Sequence, residues 1–463
     1  MNKQHITIIG AGPAGLGCAL AASEGGAAVD VYEHHDAVGG LCRTIDHHGY
    51  LFDIGGHRFL TKHRAIDELC SRIMGKDMLE VRRLSRIYYR NRYFNYPLTL
   101  GNTLKNLGII EAARCFSSYL IAITSRGADE HPQCKNFENY VSAKFGKRLY
   151  ETFFKGYTEK LWGIACDEIS EDWARQRIEG LSLRVALQQA LWPNTSETQK
   201  NLYEIFKYPR RGPGQLCERL RVTAEAQGAR FHLRHELKSV HHDHGRVIGI
   251  SLLDRSACAV HYVPVDTLVS SIPLPLFTEV LDPHPEDKVI EASKRLSFRH
   301  YMVVNVIVNM RDVFPDQWIY VHDPSVKLAR IQNYKNWSSS MVIDQNKSTL
   351  GLEYFCGDDD ALWSMGDIDL IEHALSEMGK IGFDCQRHLV TGFVVRYPHA
   401  YPMYHIGYNA DRDIVLDHVR SFENLHCIGR AGIFMYCNMD EALLDGITAC
   451  EKIVRERREG MVR

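Results

Sequence analysis

The first 33 residues contain the pattern that most constrains the fold of this chain. An apolar run without acidic residues, His5–Ile9, is followed by a turn with three glycines, Gly10, Gly12 and Gly15. The run predicts a buried parallel strand, and the residues around and after Gly15 begin a helical period. In such a turn the first glycine permits the sharp bend, the second lets the backbone approach a pyrophosphate, and the third lets the helix pack closely on the strand. A second strand ends at Glu33, whose carboxylate can accept hydrogen bonds from ribose hydroxyls. Together these features predict a dinucleotide-binding site.

A second glycine pair distinguishes between the dinucleotides. Gly39 and Gly40 follow the second strand, and Arg43 lies three residues further on. NAD sites rarely need a second glycine hinge at this place, whereas FAD is longer and its phosphates extend past that loop. The alternative is that the pair forms an ordinary turn. With the preceding pattern, the pair predicts FAD, bound through Gly10, Gly12, Gly15, Glu33, Gly40 and Arg43.

Composition excludes several other classes of protein. The 463 residues are 45% hydrophobic and 24% charged, and the formal net charge is −2. These values are typical of a globular protein with two or three domains and give no sign of a nucleic-acid partner. The 13 cysteines are scattered without a C-x-x-C pair, which argues for a reducing compartment and against structural zinc. A strand that begins near residue 5 leaves no room for a signal peptide, so we expect a cytoplasmic protein without stable membrane insertion.

The order of strand and helix patterns predicts an α/β fold with a discontinuous, Rossmann-like FAD-binding domain. We assign residues 1–63, 206–280 and 396–463 to that domain. Residues 64–205 are interpreted as a mostly helical substrate region. Residues 281–395 are interpreted as a substrate domain with a mixed β-sheet.

Three local patterns give more detailed expectations. Apolar residues at three- and four-residue steps between Phe137 and Phe153 predict an amphipathic helix. The run Tyr301–Met310 is too short to span a bilayer and predicts a buried strand. The cluster His241–His244, followed by Gly245, looks like a metal site, but its place between two strand patterns favours a solvated hairpin tip. No metal is predicted.

Four further segments carry a family resemblance. Gly55–Phe59 (Gly-Gly-His-Arg-Phe) resembles a histidine loop beside a flavin, and Gly156–Gly163 resembles a Gly-Tyr-Thr-x-Lys-Gln-Trp-Gly segment. Leu328–Ile331 resembles a Thr-Arg-Ile strand, and Ile428–Asp440 a Gly-Arg-Leu-Gly-x-Tyr-x-Tyr-x-x-Met-Asp signature. All four are similar to the UDP-galactopyranose mutase branch of the FAD-dependent amine oxidase and protoporphyrinogen oxidase superfamily.

One segment departs from the mutase pattern. Mutases carry an Arg-(Leu/Ile)-Pro-Val-Arg motif after the Trp-Gly segment, and its second arginine grips the diphosphate. Here Arg177 stands at the first position, but Leu181 stands at the second. The insertion through Trp192–Gln199 is also unlike the compact bacterial mutases.

The resemblance, together with the residue types, assigns roles in the site. Arg330 and Arg430 lie in or directly after an apolar strand, where a cation is costly unless it pairs with an anion such as a nucleotide-sugar diphosphate. His57 is expected to contact the flavin rather than to act as a general base, and it completes the catalytic set with the two arginines. The substrate-binding set is Tyr157, Trp162, Arg177, Tyr404 and Tyr436, whose aromatic members can supply a stacking face and hydroxyl donors.

The C-terminal signature extends the cofactor site. Asn438 and Glu441 fit a capping box at the start of a helix. In this superfamily the N-terminus of that helix points at the flavin pyrimidine ring, where its positive end stabilises negative charge. The remaining predicted cofactor-binding residues are Gly56, Val240, Gly429, Arg430, Met439 and Asp440.

Three functions remain open from the sequence. The resemblance implies a mutase-like enzyme that interconverts pyranose and furanose forms of a nucleotide sugar with reduced flavin and no net redox change. It is compatible with an external reductant such as NAD(P)H and with an oligomer. The alternative is an oxidoreductase that takes a hydride from a C–OH, C–N or C–C bond of a sugar or natural-product intermediate. The third reading is a non-catalytic flavin-binding protein.

Overall fold

A computed structural model describes residues 5–96, 98, 100–126, 134–178 and 205–460. The side chains of residues 100, 126, 177, 178 and 457–460 are outside this description. Leu181 and the insertion through Trp192–Gln199 also lie outside the described residues.

The described residues contain 20 strands in five sheets. In chain order these are β1 (His5–Ile9), β2 (Ala28–Glu33), β3 (Thr44–His47), β4 (Tyr50–Asp53), β5 (Met78–Arg82), β6 (Ser85–Tyr89), β7 (Arg92–Asn95), β8 (Ile205–Pro209), β9 (Arg230–Leu233), β10 (His235–Asp243), β11 (Arg246–Asp254), β12 (Ala259–Pro264), β13 (Thr267–Ser270), β14 (Leu281–Asp282), β15 (Phe298–Val308), β16 (Trp318–Val321), β17 (Arg330–Asn333), β18 (Ser348–Cys356), β19 (Leu389–Pro402) and β20 (Leu425–Cys427).

The helices of the described residues surround these sheets. They are α1 (Pro13–Glu24), α2 (Arg64–Met74), α3 (Leu100–Leu107), α4 (Ile109–Arg126), α5 (Phe137–Phe145), α6 (Lys147–Leu149), α7 (Gly156–Trp162), α8 (Glu171–Ile178), α9 (Pro213–Ala226), α10 (Leu274–Glu279), α11 (Asp287–Arg295), α12 (Tyr334–Trp337), α13 (Ala361–Ser364), α14 (Asp367–Lys380), α15 (Tyr408–Arg420), α16 (Gly429–Gly432) and α17 (Met439–Gly460). A π-helical turn spans Tyr150–Lys155, and 3₁₀ turns span Gly40–Cys42, Gly75–Asp77, Ser339–Met341 and Gln386–His388.

The predicted nucleotide-binding unit is confirmed as a parallel sheet. Its strand order is β20-β13-β1-β2-β9, and every neighbouring pair is parallel. α1 and α17 pack together beside this sheet through small residues. A Cβ at Gly17 would lie 2.4 Å from the Leu443 carbonyl oxygen, and one at Gly446 would lie 1.9 Å from that of Ala14. The two ends of the chain are therefore joined in one layer, as a discontinuous domain requires.

A seven-stranded sheet forms the second large layer. Its order is β19-β15-β18-β17-β16-β6-β7, antiparallel except for the β16–β6 pair. β15 is buried along its whole length and confirms the strand predicted from Tyr301–Met310. β6 and β7 come from a stretch whose sequence suggests mostly helices. They form strands because β6 pairs with β16, more than 200 residues later in the chain.

The structure confirms the predicted hairpin tip at residues 241–245 and corrects the predicted helix over residues 137–153. β10 and β11 form a hairpin whose turn is His244-Gly245, so the predicted hairpin tip is confirmed. The single helix predicted from Phe137 to Phe153 is wrong in its continuity, because Gly146 adopts a φ of 86° and ends α5. α6 and the π-helical turn then continue the helical path in short pieces. The apolar spacing thus predicts helical structure in this stretch, but the break depends on the conformation of Gly146.

In the described part of the chain, no single helix meets the length and hydropathy expected of a membrane span. α3 and α4 together meet that composition, but they are bent by 118° at the break between them.

Candidate flavin and substrate site

The turn after β1 has the geometry that a pyrophosphate needs. Gly10 has a φ of 94°, and a Cβ at Gly15 would lie 1.9 Å from the Gly10 carbonyl oxygen. A Cβ at Gly12 would meet nothing within 4 Å, so the backbone there borders open space. α1 begins directly after Gly12 with Pro13, and its unpaired N–H groups favour an anion. The three glycines therefore fit the roles expected of them.

Glu33 closes this site at the end of β2. Its carboxylate accepts hydrogen bonds from the backbone N–H groups of Ala11, at 2.8 Å, and His35, at 3.0 Å. Burial alone would raise the pKa of Glu33, but the ring of His34 and the two backbone donors lower it to about 2. Glu33 therefore stays ionised, and the remaining lone pairs on its oxygens can accept ribose hydroxyls.

The second glycine pair packs on the first glycine turn. The Gly39 N–H donates to the Ala11 carbonyl at 2.8 Å, and Gly39 and Gly40 have φ values of 114° and 53°. A Cβ at Gly40 would lie 3.4 Å from the Gly12 Cα. Arg43 is half-buried behind the pair and donates from Nε to the Gly40 carbonyl at 3.3 Å. The two loops thus form one continuous wall.

The C-terminal signature meets the same region from the other side. Gly429 has a φ of 73°, and its N–H donates to Asp445 at 2.6 Å. α17 begins at Met439, and Glu441 accepts from the Asn438 N–H at 2.8 Å, which is the backbone half of the predicted capping box. Met439 and Asp440 are buried at this helix start. Burial raises the pKa of Asp440, and a hydrogen bond with Thr61 partly offsets that rise.

His57 is held in a neutral, structural arrangement. Its Nε2 lies 2.9 Å from the Ile54 carbonyl, so this nitrogen carries the proton, and Nδ1 lies 3.8 Å from the Cys42 thiol. Burial and the positive charges of Arg430 and Arg330 lower its pKa to about 4, against an opposing hydrogen bond to Ile54. Both ring nitrogens already have partners, which supports a positioning role rather than general-base work.

Buried polar atoms beside Gly55 and Gly56 lack partners. A Cβ at Gly56 would lie 2.6 Å from Gln332 Nε2, and one at Gly55 would lie 3.2 Å from the Tyr301 hydroxyl. The Tyr301 hydroxyl and Gln332 Oε1 are buried, and neither has a hydrogen-bond partner among the described residues. Orphaned buried polar atoms are costly, and they suit a ligand with a polar ring edge. With the glycine wall and Glu33, these residues fit FAD.

Arg330 has an internal counter-ion that the sequence analysis did not find. β17 and β18 are antiparallel neighbours, and their register places Arg330 directly opposite Glu353. Arg330 Nε donates to Glu353, whose side chain is fully buried, and Gln332 donates to the other carboxylate oxygen at 2.7 Å. Burial would lower the pKa of Arg330, but the charge of Glu353 raises it well above its usual range. The burial of Arg330 is therefore explained without a diphosphate.

Arg430 is held differently. Its Nε and one terminal nitrogen donate to the Cys437 carbonyl, and no described carboxylate lies within 4 Å of it. The guanidinium carbon lies 4.4 Å from the ring centroid of Tyr436 and 5.3 Å from that of Tyr401. Aromatic faces attract a cation without neutralising it. Arg430 therefore keeps its positive charge available to an anionic ligand.

The predicted aromatic residues form two groups. Trp162, Tyr404 and Tyr436 are buried around Trp173, and the Tyr436 N–H donates to the Tyr404 hydroxyl at 2.7 Å. Tyr157 lies apart from them and stacks on His322 with ring centroids 4.2 Å apart. Tyr401 stacks on Tyr436, packs beside Phe355 and interacts with Arg330.

Two predicted residues receive no support from contacts. Val240 is fully buried in β10, and its N–H donates to the Val280 carbonyl at 2.7 Å. Its role in cofactor binding stays a prediction. Arg177 lies in α8, but its side chain is outside the described residues.

Two groups of possible metal ligands occur among the described side chains. One comprises Glu33, His34 and His35, and belongs to the cofactor site. The other comprises His235, Asp254 and His261, from neighbouring strands at the end of one sheet. Neither includes the histidine cluster 241–244 that the sequence made conspicuous.

Sequence reasoning missed Glu353, Gln332, Tyr301 and Phe355 in this site. A signal for Glu353 was present, because a carboxylate inside an apolar strand needs a cation as much as Arg330 needs an anion. Tyr301 and Phe355 have side chains common in any core, whereas a buried glutamine such as Gln332 is unusual. Only strand register brings these residues to the glycine loop.

The parallel sheet, the paired glycine loops and the capped C-terminal helix define a protein of the FAD-binding class. The family model described as flavin containing amine oxidoreductase matches residues 13–454, and the chain belongs to this family. It is an FAD-dependent enzyme, which confirms the predicted fold class and cofactor.

Solved structures share this fold over nearly the whole chain. The structure of reduced UDP-galactopyranose mutase has a TM-score of 0.83 at 21% identity, and covers 98% of this chain and 94% of its own. A putative protoporphyrinogen oxidase from Exiguobacterium sp. 255-15 has a TM-score of 0.73 at 17% identity, with coverages of 98% and 100%. At these identities the likeness shows the fold.

Curated relatives match shorter stretches. A probable UDP-galactopyranose mutase of Klebsiella pneumoniae is 28% identical over 177 residues, 36% of this chain and 44% of the relative. A 1-hydroxycarotenoid 3,4-desaturase of Flavobacterium sp. (strain P99-3) is 25% identical over 267 residues, 53% of this chain and 52% of the relative. The chain thus matches about half the length of these relatives.

Proposed function

We propose that this enzyme is a sugar-nucleotide mutase, which interconverts pyranose and furanose forms with reduced FAD and without net redox change. The proposal rests above all on Arg430, a half-buried cation that has aromatic faces and one carbonyl as partners but no described carboxylate within 4 Å. Several of its N–H groups have no acceptor among the described residues and could donate to the oxygens of a diphosphate. The fold similarity to a reduced mutase supports the same reading.

Different side chains of this protein would bind the diphosphate and orient the sugar. When bound, FAD supplies a nucleophilic nitrogen in its reduced form, or accepts a hydride in a net oxidation. Arg430 would bind the diphosphate, and Arg330 would present its terminal nitrogens while Glu353 fixes its orientation. Tyr401 and Tyr436 would exclude water and orient the sugar between the two guanidinium groups. Tyr157 is expected to line the nucleotide end of the pocket.

Two further expectations accompany this proposal. A mutase needs its flavin reduced, so an external reductant such as NAD(P)H is expected. The cytoplasm remains the predicted compartment, because all 13 cysteines are free and most are buried.

An oxidoreductase is the second candidate, and the Arg330–Glu353 pair favours it. A neutralised arginine suits an uncharged substrate better than a diphosphate. Two curated relatives are named as desaturases, which fits net hydride removal.

The two candidates separate in one experiment. The FAD-loaded enzyme is incubated with UDP-galactopyranose, reduced with dithionite or left oxidised, and the nucleotide sugars are resolved by chromatography. We expect the furanose isomer only with the reduced enzyme and without consumption of reductant. Steady hydrogen peroxide release, or one acceptor reduced per turnover, would overturn the mutase assignment.

A matched series of variants tests Arg430 directly. Arg430→Ala should abolish UDP binding, and Arg430→Lys should restore it only in part, because lysine lacks the planar fork. Arg387→Ala, at a side chain that is 86% exposed, is the control. Equal UDP affinity in the parent and Arg430→Ala, with FAD content unchanged, would refute the diphosphate role.

A further inference from the structure

Helix α4 carries its apolar residues on its outer face. Ile109, Ile110 and Ile121 are 86%, 72% and 65% exposed. Among the described side chains of this helix, Cys115 and Tyr119 are the buried ones. A surface helix normally buries its apolar stripe against the core, so α4 has the reverse orientation. The exposed apolar residues of α3 and α4 define the α4 surface: Leu104, Ile109, Ile110, Phe116, Leu120, Ile121 and Ile123.

The α4 surface covers a wide arc of the helix. Ile109, Phe116 and Ile123 recur every seven residues and lie on one side. Ile110 and Ile121 lie about 100–120° further round the same helix. One partner helix contacts a narrower seam than this. Ile109, Ile110 and Ile121 also line a groove with Ser142 and Lys147, and a fluid apolar medium would cover both the broad face and the groove.

The geometry of α3 and α4 suits a surface position. Together the two helices have the hydropathy of a membrane span, but the 118° bend at Gly108 prevents them from crossing as one rod. α4 is 18 residues long, about 27 Å, and can lie parallel to a membrane surface.

The charges around the α4 surface are mainly positive. Glu111 is the only acidic residue from Leu100 to Arg126, and it is paired with Arg114 and Arg148. Lys105 and Lys147 are exposed beside the α4 surface, and the acidic Glu151, which also borders it, is paired with Arg148. A cationic border next to exposed isoleucines complements an anionic lipid headgroup layer.

We infer that the α4 surface docks this enzyme on an anionic lipid bilayer, with α4 in the interfacial plane and its isoleucines among the upper acyl chains. The contact is peripheral and reversible, because no single helix of the described residues has the length and hydropathy of a membrane span. This inference is independent of the reaction that the enzyme catalyses.

Flotation with vesicles tests the inference. The FAD-loaded protein is mixed with large unilamellar vesicles of phosphatidylcholine, with or without phosphatidylglycerol at about one third of the lipid. We expect binding to the anionic vesicles and at least about a tenfold loss of binding in Ile109→Asp/Ile121→Asp, because two charges replace the inserted side chains. The matched control is Ile343→Asp/Ile368→Asp, whose parent side chains are 70% and 75% exposed on other elements. It should bind like the parent.

A second set of measurements tests the electrostatic contribution to vesicle binding. Arg114→Glu/Lys147→Glu should weaken binding to the anionic vesicles, and 0.5 M NaCl should weaken binding of the parent. FAD content and melting temperature show that each variant is folded. If the parent binds neither kind of vesicle, the inference is overturned. If, in addition, the parent forms a dimer in light scattering that Ile109→Asp/Ile121→Asp disrupts, the α4 surface is an interface between two copies of the chain instead.

Discussion

The two halves of the site handle buried charge in different ways. In the nucleotide half, Glu33 is buried but is held ionised by the ring of His34 and by the backbone N–H groups of Ala11 and His35. In the substrate half, Arg330 is neutralised by Glu353 from a neighbouring strand, whereas Arg430 keeps its charge between two tyrosine rings. The first half is built from backbone geometry, and the second from pairings between distant side chains.

This difference determines which substitutions disrupt each half of the site. A site formed by the backbone loses its ligand when a larger side chain replaces a glycine and occupies the space that the glycine left open. A site built from charge pairs fails when one partner is removed and the other remains buried. The predictions below test each half on its own terms, from the largest expected effect to the smallest.

Gly15→Ala should abolish FAD retention. The new Cβ would lie 1.9 Å from the Gly10 carbonyl oxygen, a backbone atom that cannot rotate away. The control is Gly379→Ala in α14, where a Cβ meets nothing within 4 Å. FAD released per chain on denaturation is the measurement. Full occupancy in Gly15→Ala would show that this half does not depend on close backbone packing.

Glu353→Gln should destabilise the FAD-loaded protein by about 3–5 kcal/mol, because it leaves Arg330 buried without its anion. The double variant Arg330→Gln/Glu353→Gln should recover part of this loss, since no unpaired charge remains. Urea unfolding followed by tryptophan fluorescence measures the free energy of unfolding of the single and the double variant. A double variant no more stable than Glu353→Gln alone would mean that the pair does not carry the stability of this half.

Glu33→Gln should weaken FAD binding about tenfold or more. Hydrogen bonds to a charged acceptor contribute about 1.5–3 kcal/mol, and a neutral amide accepts less well. Glu24→Gln, at an exposed position at the end of α1, is the matched control. Equilibrium dialysis against FAD gives the two affinities. Identical values would remove Glu33 from the ribose site.

The contributions of Asp53 and Glu33 to stability depend on pH in opposite directions, because folding raises the pKa of Asp53 and lowers that of Glu33. Burial raises the pKa of Asp53 to about 7, although hydrogen bonds with Tyr208 and Thr44 oppose the rise. A carboxyl group whose pKa is raised by folding stabilises the folded state at low pH, and this contribution is lost as pH rises from about 4 through 7. Glu33, with its lowered pKa, loses its contribution only as pH falls from about 4.5 towards 2.

Asp53→Asn should therefore flatten the decrease in stability between pH 5 and pH 8. Urea midpoints at the two pH values, in parent and variant, provide the measurement. A slope that is unchanged in Asp53→Asn would assign the decrease to other groups.

The contrast also explains what could be predicted from sequence. The glycine turn, β1, α1 and Glu33 follow from rules that act within about 30 residues, and the structure has them where the pattern indicates. The capping box at α17 is equally local. Family motifs marked Arg330 and Arg430, and both are half-buried and lie near His57; their roles towards a ligand stay predictions.

Non-local features could not be predicted in the same way. Glu353 reaches Arg330 through strand register, and β6 joins its sheet through β16. Neither pairing leaves a periodic signal in a single sequence, because register depends on which strands meet. The break at Gly146 depends on a positive φ that glycine permits but does not require.

The joining of α1 to α17 has a consequence for the timing of assembly. More than 400 residues separate Gly15 from Gly429, yet both lie in one wall of the cofactor site. At about 5–20 residues per second, a ribosome needs about 20–80 s to synthesise that interval. During this time β1 and the glycine turn are outside the ribosome without β20 and α17. The complete FAD cradle therefore forms only after β20 and α17 have been synthesised, and stable cofactor loading follows that step.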